Sequence, residues 1–374
     1  MHHHHEWLWH LYPKKELTRV YISLALRYFA LSLISLFIPL YLYKEIGYSF
    51  EQTILFFIFY SLVLGIFSPL AAKCCEWYGV KHTVLISIPF YLAFLILLNL
   101  LPKVKLNLLW LGLLVGISLS FYWIGMNLLF YHSSHHKHRG EESGKRLSAS
   151  IIASLIGPVV GGLLINVVGF YILFVLSALF LFISALVLFL SKDEHIHYEF
   201  SLRSLVDKHH WRHLLYFISQ GSYITTSGVI WPLFMFSILG GYFSLGILGS
   251  LLSGVGAVLI LFVGKYSDHV EKRTIIRWSA IGESTSWFVR AFVQTVGQVY
   301  AATIFGAMTY GIMVSPLQAL DIDSARGRAS GYFVTREVFI CLGRMSVLII
   351  VLMTNSLSGG LIAHGILNFA ALLF

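Results

Sequence analysis

Arg27, Glu283, Arg290, Arg336, Glu337 and Arg344 sit in stretches of this chain that are otherwise apolar. A charge at the centre of a bilayer costs about 2.5–3.5 kcal/mol on insertion scales, so each of these residues needs a partner, water or a task. Glu337 and Arg344 are two helical turns apart, which returns them to nearly one face with about 10 Å between them along the axis. Glu283 and Arg290 repeat that spacing. A guanidinium matches carboxylate geometry, so Arg344 at mid-depth either favours an anionic or carboxylate-bearing ligand or compensates Glu337 or Glu283. Glu283 and Glu337 are the carboxylates well inside the apolar stretches, and either is the candidate to carry a proton if protons are a coupling ion. Arg27 lies toward one end of its stretch, where it either faces a ligand or extends its charge to the headgroups.

Aromatic and amide side chains supply the rest of a candidate site: Tyr122, Trp123 and Asn127 in a fourth stretch, Gln220, Tyr223, Thr226 and Trp231 in a seventh, Tyr310 and Gln318 in a tenth. An apolar aromatic cavity with a few polar groups suits small amphipathic molecules. Each aromatic can equally be helix packing or an interfacial belt. The histidine-rich runs 132–138 and 195–213 contain metal-capable imidazoles, but their spacing defines no tetrahedral set, and they read as solvated loop residues. There is no GxxxxGK[ST], GxSxG or HExxH in the sequence, so ATP-driven pumping and ordinary hydrolase chemistry lack their signatures. No enzyme activity, cofactor or resident metal is implied.

The elements that must position these residues follow from composition. The chain is 57% hydrophobic and only 11% charged, too apolar for a soluble domain of 374 residues. About 12 apolar stretches of roughly 20 residues recur, each long enough to cross a hydrocarbon core of about 30 Å. The expected fold class is an all-α polytopic membrane protein, because helices satisfy their own backbone groups in lipid. Nineteen of the 26 Lys and Arg residues fall in one set of loops, which puts both termini in the cytoplasm of a multi-pass cell-membrane protein. The net charge of +9 is thereby a matter of topology and no argument for nucleic acid. Cys74, Cys75 and Cys341 suggest no disulfide framework. No cleavable signal pattern precedes the first span. His2–His5 resembles a purification tag and is left out of the fold argument.

The sequence also repeats at half length. Arg139-Gly140-x-x-Ser143-Gly144 is answered by Arg326-Gly327-x-x-Ser330-Gly331. Ile38-Pro39-Leu40 aligns with Trp231-Pro232-Leu233, Gly47 with Gly240, and Ala72-x-x-x-Glu76 with Gly264-x-x-x-Asp268. Anchors in one order at nearly one offset read as duplicated halves. The expected division is residues 1–191, a polar cytoplasmic linker 192–212, and residues 213–374, giving two pseudo-symmetric six-helix bundles. The small residues Ala72 and Gly264 permit close helix approach. The carboxylates Glu76 and Asp268 can meet a helix N-terminus. The basic residues that follow, Lys81 in one copy and Lys272 and Arg273 in the other, can pair across to the opposite half. Such a loop either gates or simply stabilises packing. Arg139 and Arg326, at the entrances to helices 5 and 11, read as symmetric hinge or latch elements.

Twelve spans in two repeated halves with a central loop resemble the major facilitator superfamily. Its loop between helices 2 and 3, roughly G-x-x-x-D-x-x-G-x-K/R, is similar to Ala72 to Lys81 and to Gly264 to Arg273, with Ala72 and Glu76 as departures in the first copy and the later Gly missing from the second. The resemblance implies a central cavity lined by helices 1, 4, 7 and 10, hence Arg27 and its counterpart Gln220 as a polar pair facing substrate, and helix 9 on the periphery. Gly157-Pro158-x-x-Gly161-Gly162 resembles a helix-5 motif of exporters of the drug/proton antiporter type. Glycines four apart also permit ordinary close packing, and the arginine those exporters carry in helix 4 is absent. The function expected is secondary transport of small molecules by alternating access in a monomer. Export of amphipathic compounds leads, import of a sugar, nucleoside or organic anion is the alternative, and a non-transporting receptor or scaffold is a further class.

Overall fold

The computed structural model describes residues 15–104, 106–133, 139–191, 193, 195–201, 211–266, 272–324 and 329–373. Among them there are helices and turns and no strand. The helices are α1 (Arg19–Glu45), α2 (Phe50–Tyr78), α3 (Val80–Leu100), α4 (Leu108–Ser133), α5 and α6 (the run Arg139–Phe189, broken at Gly169), α7 (Trp211–Leu239), α8 (Tyr242–Tyr266), α9 (Lys272–Arg290), α10 (Val296–Ser324), α11 (Ala329–Thr354) and α12 (Leu357–Leu367, extended by a 3₁₀ turn to Leu373). By length and composition, eight helices among the described residues can cross a membrane, with α5 and α6 taken there as one. Large apolar side chains such as Val167, Trp278, Phe292 and Met353 are fully outward-facing, as a lipid-exposed surface requires.

The aligned sequence pairs mark matching irregularities. Pro39 and Pro232 each lack the N–H that would continue the ladder. Around Pro39 the helix turns at residues 35–37 and then widens into a π-turn at Tyr41–Glu45. Before Pro232 it widens at Thr226–Ile230, where the Trp231 amide reaches Thr226 O. Both helices then stop at a left-handed glycine, Gly47 at φ 78° and Gly240 at φ 69°, a conformation that glycine adopts without steric cost.

Within the N-terminal half α1 packs on α5 and α6, and α4 packs on α2 and α3. Within the C-terminal half α7 packs on α11, α8 on α10, and α9 on α10 and α12. The halves meet along two helix pairs, α5 with α8 and α2 with α11. Small residues make these crossings possible. A methyl on Gly246 would lie 2.4 Å from Pro158 O, and one on Gly162 would lie 2.6 Å from Tyr242 O. The kinked turn at Pro158 also leaves the Val159 amide to donate to Ser250 Oγ of α8 at 3.1 Å. On the other seam Gly65 faces Cys341 at 3.3 Å. Gly157 and Gly161 face inward instead, against Ser32 and Leu33 of α1.

The buried core differs between the two ends. At the end that carries the Gly47 and Gly240 turns, one apolar cluster runs through both halves, from Leu33, Phe37 and Tyr41 to Trp231, Leu245 and Leu248. At the end that carries residues 193–200, the core divides into a cluster around Cys75, Tyr122 and Phe333 and another around Phe217, Ile276 and Leu317.

The tightest crossing joins α7 and α11, where methyls on Gly221 and Gly343 would each lie 1.9 Å from a backbone carbonyl, of Ile340 and Ile218 respectively. In lipid such packing, with no water-driven term between helices, holds them together. Gly343→Ala and Gly221→Ala should each lower the thermal midpoint of the purified protein through overpacking of about 1–3 kcal/mol. Gly297→Ala, which meets nothing within 4 Å, should leave it unchanged. An unchanged midpoint in both crossing variants contradicts this account of the α7–α11 contact.

Candidate functional site

The buried charges fall into three places. The first lies in the C-terminal half, where α7, α9, α10 and α12 converge. Glu283 is fully buried. One oxygen accepts from Trp287 Nε1 at 2.8 Å and the other from Thr309 Oγ1. Arg290 lies over the Trp287 ring at 4.0 Å and the Trp231 ring at 5.2 Å, and its Nε reaches Ala302 O at 3.4 Å. Gly306 makes room for it, since a methyl there would sit 1.7 Å from Arg290 Nη2. Tyr223 and Tyr310 stack at 4.1 Å, and Tyr223 also packs edge-on against Trp287. His364 packs on Trp287, and its Nδ1 is 2.7 Å from Ser222 Oγ. Five of the residues picked out by type thus meet in one cluster: Tyr223, Trp231, Glu283, Arg290 and Tyr310. Thr226 is buried one turn from Trp231, and its hydroxyl has no hydrogen-bond partner.

The second place is the seam between α11 and α2. Arg344 is buried and donates through Nη1 to Tyr60 Oη at 3.1 Å, reaching from the C-terminal half into the N-terminal half. Its Nε has no partner. Glu337, also buried, accepts from the adjacent Arg336 at 3.4 Å. Gln220, on α7, is half-buried with Oε1 unpaired.

The third place is inside the N-terminal half. Arg27 stacks on Tyr122 at 3.6 Å and donates to Ser87 Oγ of α3 at 3.3 Å. The side chains around it come from α1, α3, α4 and α6, so the expected Arg27–Gln220 pair is not formed. The α1 turn that carries Arg27 points into its own bundle, as the tight α1 contacts on α5 and α6 require. Trp123 and Asn127 are half-buried on α4, Trp123 edge-on to Tyr122.

The linker end departs from the expected loop contacts. Ala72 is buried in the packing there. Lys81 does not pair across to the other half: its Nζ donates to Ser191 O at 2.7 Å and Phe189 O at 3.3 Å, at the carbonyl end of α6. Asp193 caps α3, accepting from the amides of Lys81 and His82. Gly79 at φ 90° leaves it room, because a methyl would lie 2.5 Å from the carboxylate. Glu76 does not meet a helix N-terminus. It accepts from the Tyr198 amide at 3.1 Å and from His197 Nδ1 at 3.0 Å, while His195 Nδ1 lies 3.0 Å from its carbonyl. The linker occupies the position where a helix end would otherwise come. Its next amide, Glu199, donates to Ser330 Oγ at 2.9 Å, and Ser330 Oγ donates to His197 O at 3.1 Å. Residues 195–199 therefore strap the end of α2 to the start of α11. Burial pushes the Tyr198 hydroxyl up from its ordinary pKa, with Glu76 adding to the effect.

Asp268 and Arg326 lie outside the described residues, as do the side chains of Arg139, Lys272 and Gln318; of Gly264 only the backbone is described, and Arg273 is exposed. Most of the histidine-rich runs also lies outside. Among the described residues no three His, Cys, Asp or Glu side chains converge to hold a metal, and the three cysteines are free and buried. Sequence reading passed over Tyr60, Ser87, Trp287, Thr309 and His364. Only the i, i+4 spacing of Glu283 and Trp287 was visible as a signal.

Long apolar helices, a lipid-exposed apolar surface and charges gathered inside define a polytopic membrane protein of transporter type. The family model described as "Major Facilitator Superfamily" matches residues 20–362, and the chain belongs to that superfamily. Its fold is similar to the crystal structure of the human organic anion transporter MFSD10 (TETRAN), with a TM-score of 0.69, 12% identity, and coverage of 96% of this chain and 99% of that one. A search of curated protein sequences finds no significant match.

If the strap is held as described, Glu76→Ala should speed hydrogen exchange of the Tyr198 amide, and Ser330→Ala that of the Glu199 amide, each by about fivefold or more for the loss of one hydrogen bond. Exchange in either variant at the wild-type rate rules the strap out.

Proposed function

We propose that this chain is a secondary active transporter of small molecules that works by alternating access. Its moving parts are two six-helix halves, residues 1–191 and 213–374, with 192–212 as the cytoplasmic linker and about 12 spans in all. The observation that carries this reading is the pair of inter-half seams. Both cross at small residues, with glycine against backbone on one and Gly65 against the Cys341 side chain on the other, and both hold polar contacts that can be exchanged: Val159 to Ser250 on one, Arg344 to Tyr60 on the other. The core is one cluster at one end and two at the other, where the N-terminal half reaches the C-terminal half only through α11 (Ala329, Phe333 and Val334), and this supports rocking about the end with the single cluster. The strap between Glu76 and Ser330 spans the divided end and acts as the cytoplasmic latch.

Small amphipathic compounds are the proposed cargo, and export the proposed direction. Gly157-Pro158-x-x-Gly161-Gly162 supports this, because its Pro158 and Gly162 form the α5–α8 seam while Gly157 and Gly161 lock α5 to α1. Organic anions are the second reading. Arg344 favours it as a buried guanidinium at the α2–α11 seam with Nε unpaired, and the structurally similar MFSD10 is an organic anion transporter. Glu283 is the proposed proton carrier, with antiport as the coupling. It has neutral donors at both oxygens, with Arg290 acting on it without a hydrogen bond, whereas Glu337 accepts directly from Arg336.

The test is uptake and efflux in proteoliposomes against a panel of neutral and anionic amphipathic compounds, with and without a pH gradient. Wild type should move at least one compound faster when the gradient is imposed. Glu283→Gln should remove the response to the gradient while Glu337→Gln keeps it. A response that survives in both variants refutes proton coupling through either carboxylate, and an absence of flux across the panel argues against transport.

A further inference from the structure

Arg27 is the buried charge that alternating access leaves unused. It is 2% exposed; its Nη1 donates to Ser87 Oγ, whose own hydroxyl proton is committed to Val84 O at 2.6 Å, and it also hydrogen-bonds Tyr122. Nε and Nη2 have no hydrogen-bond partner. Among the described residues, the titratable groups that act on it are Tyr122, Tyr91 and Tyr28, with no carboxylate among them. Arg290 and Arg344 differ in this respect, since Glu283 and Glu337 act on them. A guanidinium does not shed its proton. Neutral hydrogen bonds to Ser87 and Tyr122 and the face of the Tyr122 ring offset part of its desolvation and none of its charge.

A cavity of about 10 Å³ lies against Arg27, bounded by Ser23, Ile88, Tyr122, Met126 and Ser184. Its serines are not free donors, because Ser23 and Ser184 each donate to the other's carbonyl at 2.8 Å. The positive charge therefore has to be met by something inside the cavity. That space accommodates about one water-sized particle. Carboxylates, phosphates and sulfates bring several heavy atoms and are too large, whereas a monatomic halide is a single particle somewhat larger than water, admitted by a small outward shift of the lining side chains.

We propose that the N-terminal half binds a single halide ion, chloride in a cell, beside Nε and Nη2 of Arg27. The ion neutralises the guanidinium and joins α1 to α3, α4 and α6 from within. The site lies inside one half, away from both seams, and does not depend on what the transporter carries.

The experiment is thermal unfolding of the purified full chain at constant ionic strength, with gluconate replaced stepwise by chloride or bromide, and bromide anomalous scattering on crystals grown in bromide. Both halides should raise the midpoint saturably, by about 2–5 °C, as expected for a ligand that binds the folded state alone. Arg27→Gln should abolish the halide dependence, and an anomalous peak should stand beside the Arg27 guanidinium in the wild type. Equal midpoints in gluconate and chloride, or a halide effect unchanged in Arg27→Gln, overturn the proposal. If Arg27→Gln does not fold, the bromide signal in the wild type decides, and its absence beside Arg27 means that water fills the cavity and the proposal fails.

Discussion

A charge inside an apolar helix bundle has to be answered by a neighbour, because in lipid no bulk solvent is there to answer it. That constraint organises much of this structure. Arg290 is answered by two indole faces, a carbonyl and the nearby Glu283. Glu283 is answered by Trp287 and Thr309. Arg344 is answered by a tyrosine from the opposite half. These demands fix which helices converge: α7, α9, α10 and α12 around one carboxylate, α2 and α11 around one guanidinium. Gly306 is an example of the secondary consequence, a residue reduced to hydrogen so that a cation can lie flat between rings.

The same constraint separates contacts that hold from contacts that move. Inside each half the closest approaches put glycine against backbone, as at Gly221 and Ile340 or Gly161 and Leu33. Packing of that kind is all or nothing, since a small separation forfeits most of the dispersion energy. Between the halves glycine also meets backbone, at Gly246 with Pro158 and Gly162 with Tyr242, but such contacts are fewer and are joined by single hydrogen bonds with hydroxyl partners, which exchange at low cost. Rigid halves with a labile seam are what two-state rocking demands.

The fold was legible in the sequence to a greater depth than the site. Apolar stretch length and the repeat gave the helices, and the Pro39/Pro232 and Gly47/Gly240 pairs even marked where α1 and α7 widen and stop. Such features are local, set by a missing N–H or a positive φ, so residue type suffices. The charged residues were legible as a set but not in their pairings. The half-length offset made Arg27 and Gln220 counterparts, and the family resemblance turned both toward a central cavity, whereas Arg27 lies among side chains of α1, α3, α4 and α6 in its own bundle. Rotation is decided by packing on α5 and α6, through contacts more than a hundred residues away. Tyr60 and His364 were passed over for the same reason, as neither has a sequence neighbour that marks its role.

The linker shows how a departure from a motif can be physically coherent. A glutamate in place of aspartate at position 76 reaches further, and here it reaches two linker groups, the Tyr198 amide and His197. The His197 pair is exposed, so screening leaves it little weight. The holding power rests on amides, those of Tyr198 and Glu199, each aimed at a side chain from a different half. A backbone amide has no rotamers to lose, so a strap fastened through amides costs less entropy to close than one fastened by long side chains. Separation of α2 from α11 has to break at least one of those bonds. The serine of the second Arg-Gly-x-x-Ser-Gly copy therefore does more than begin a helix: Ser330 both accepts from the strap and donates to it, so the start of α11 is fastened to the linker by two hydrogen bonds at one hydroxyl.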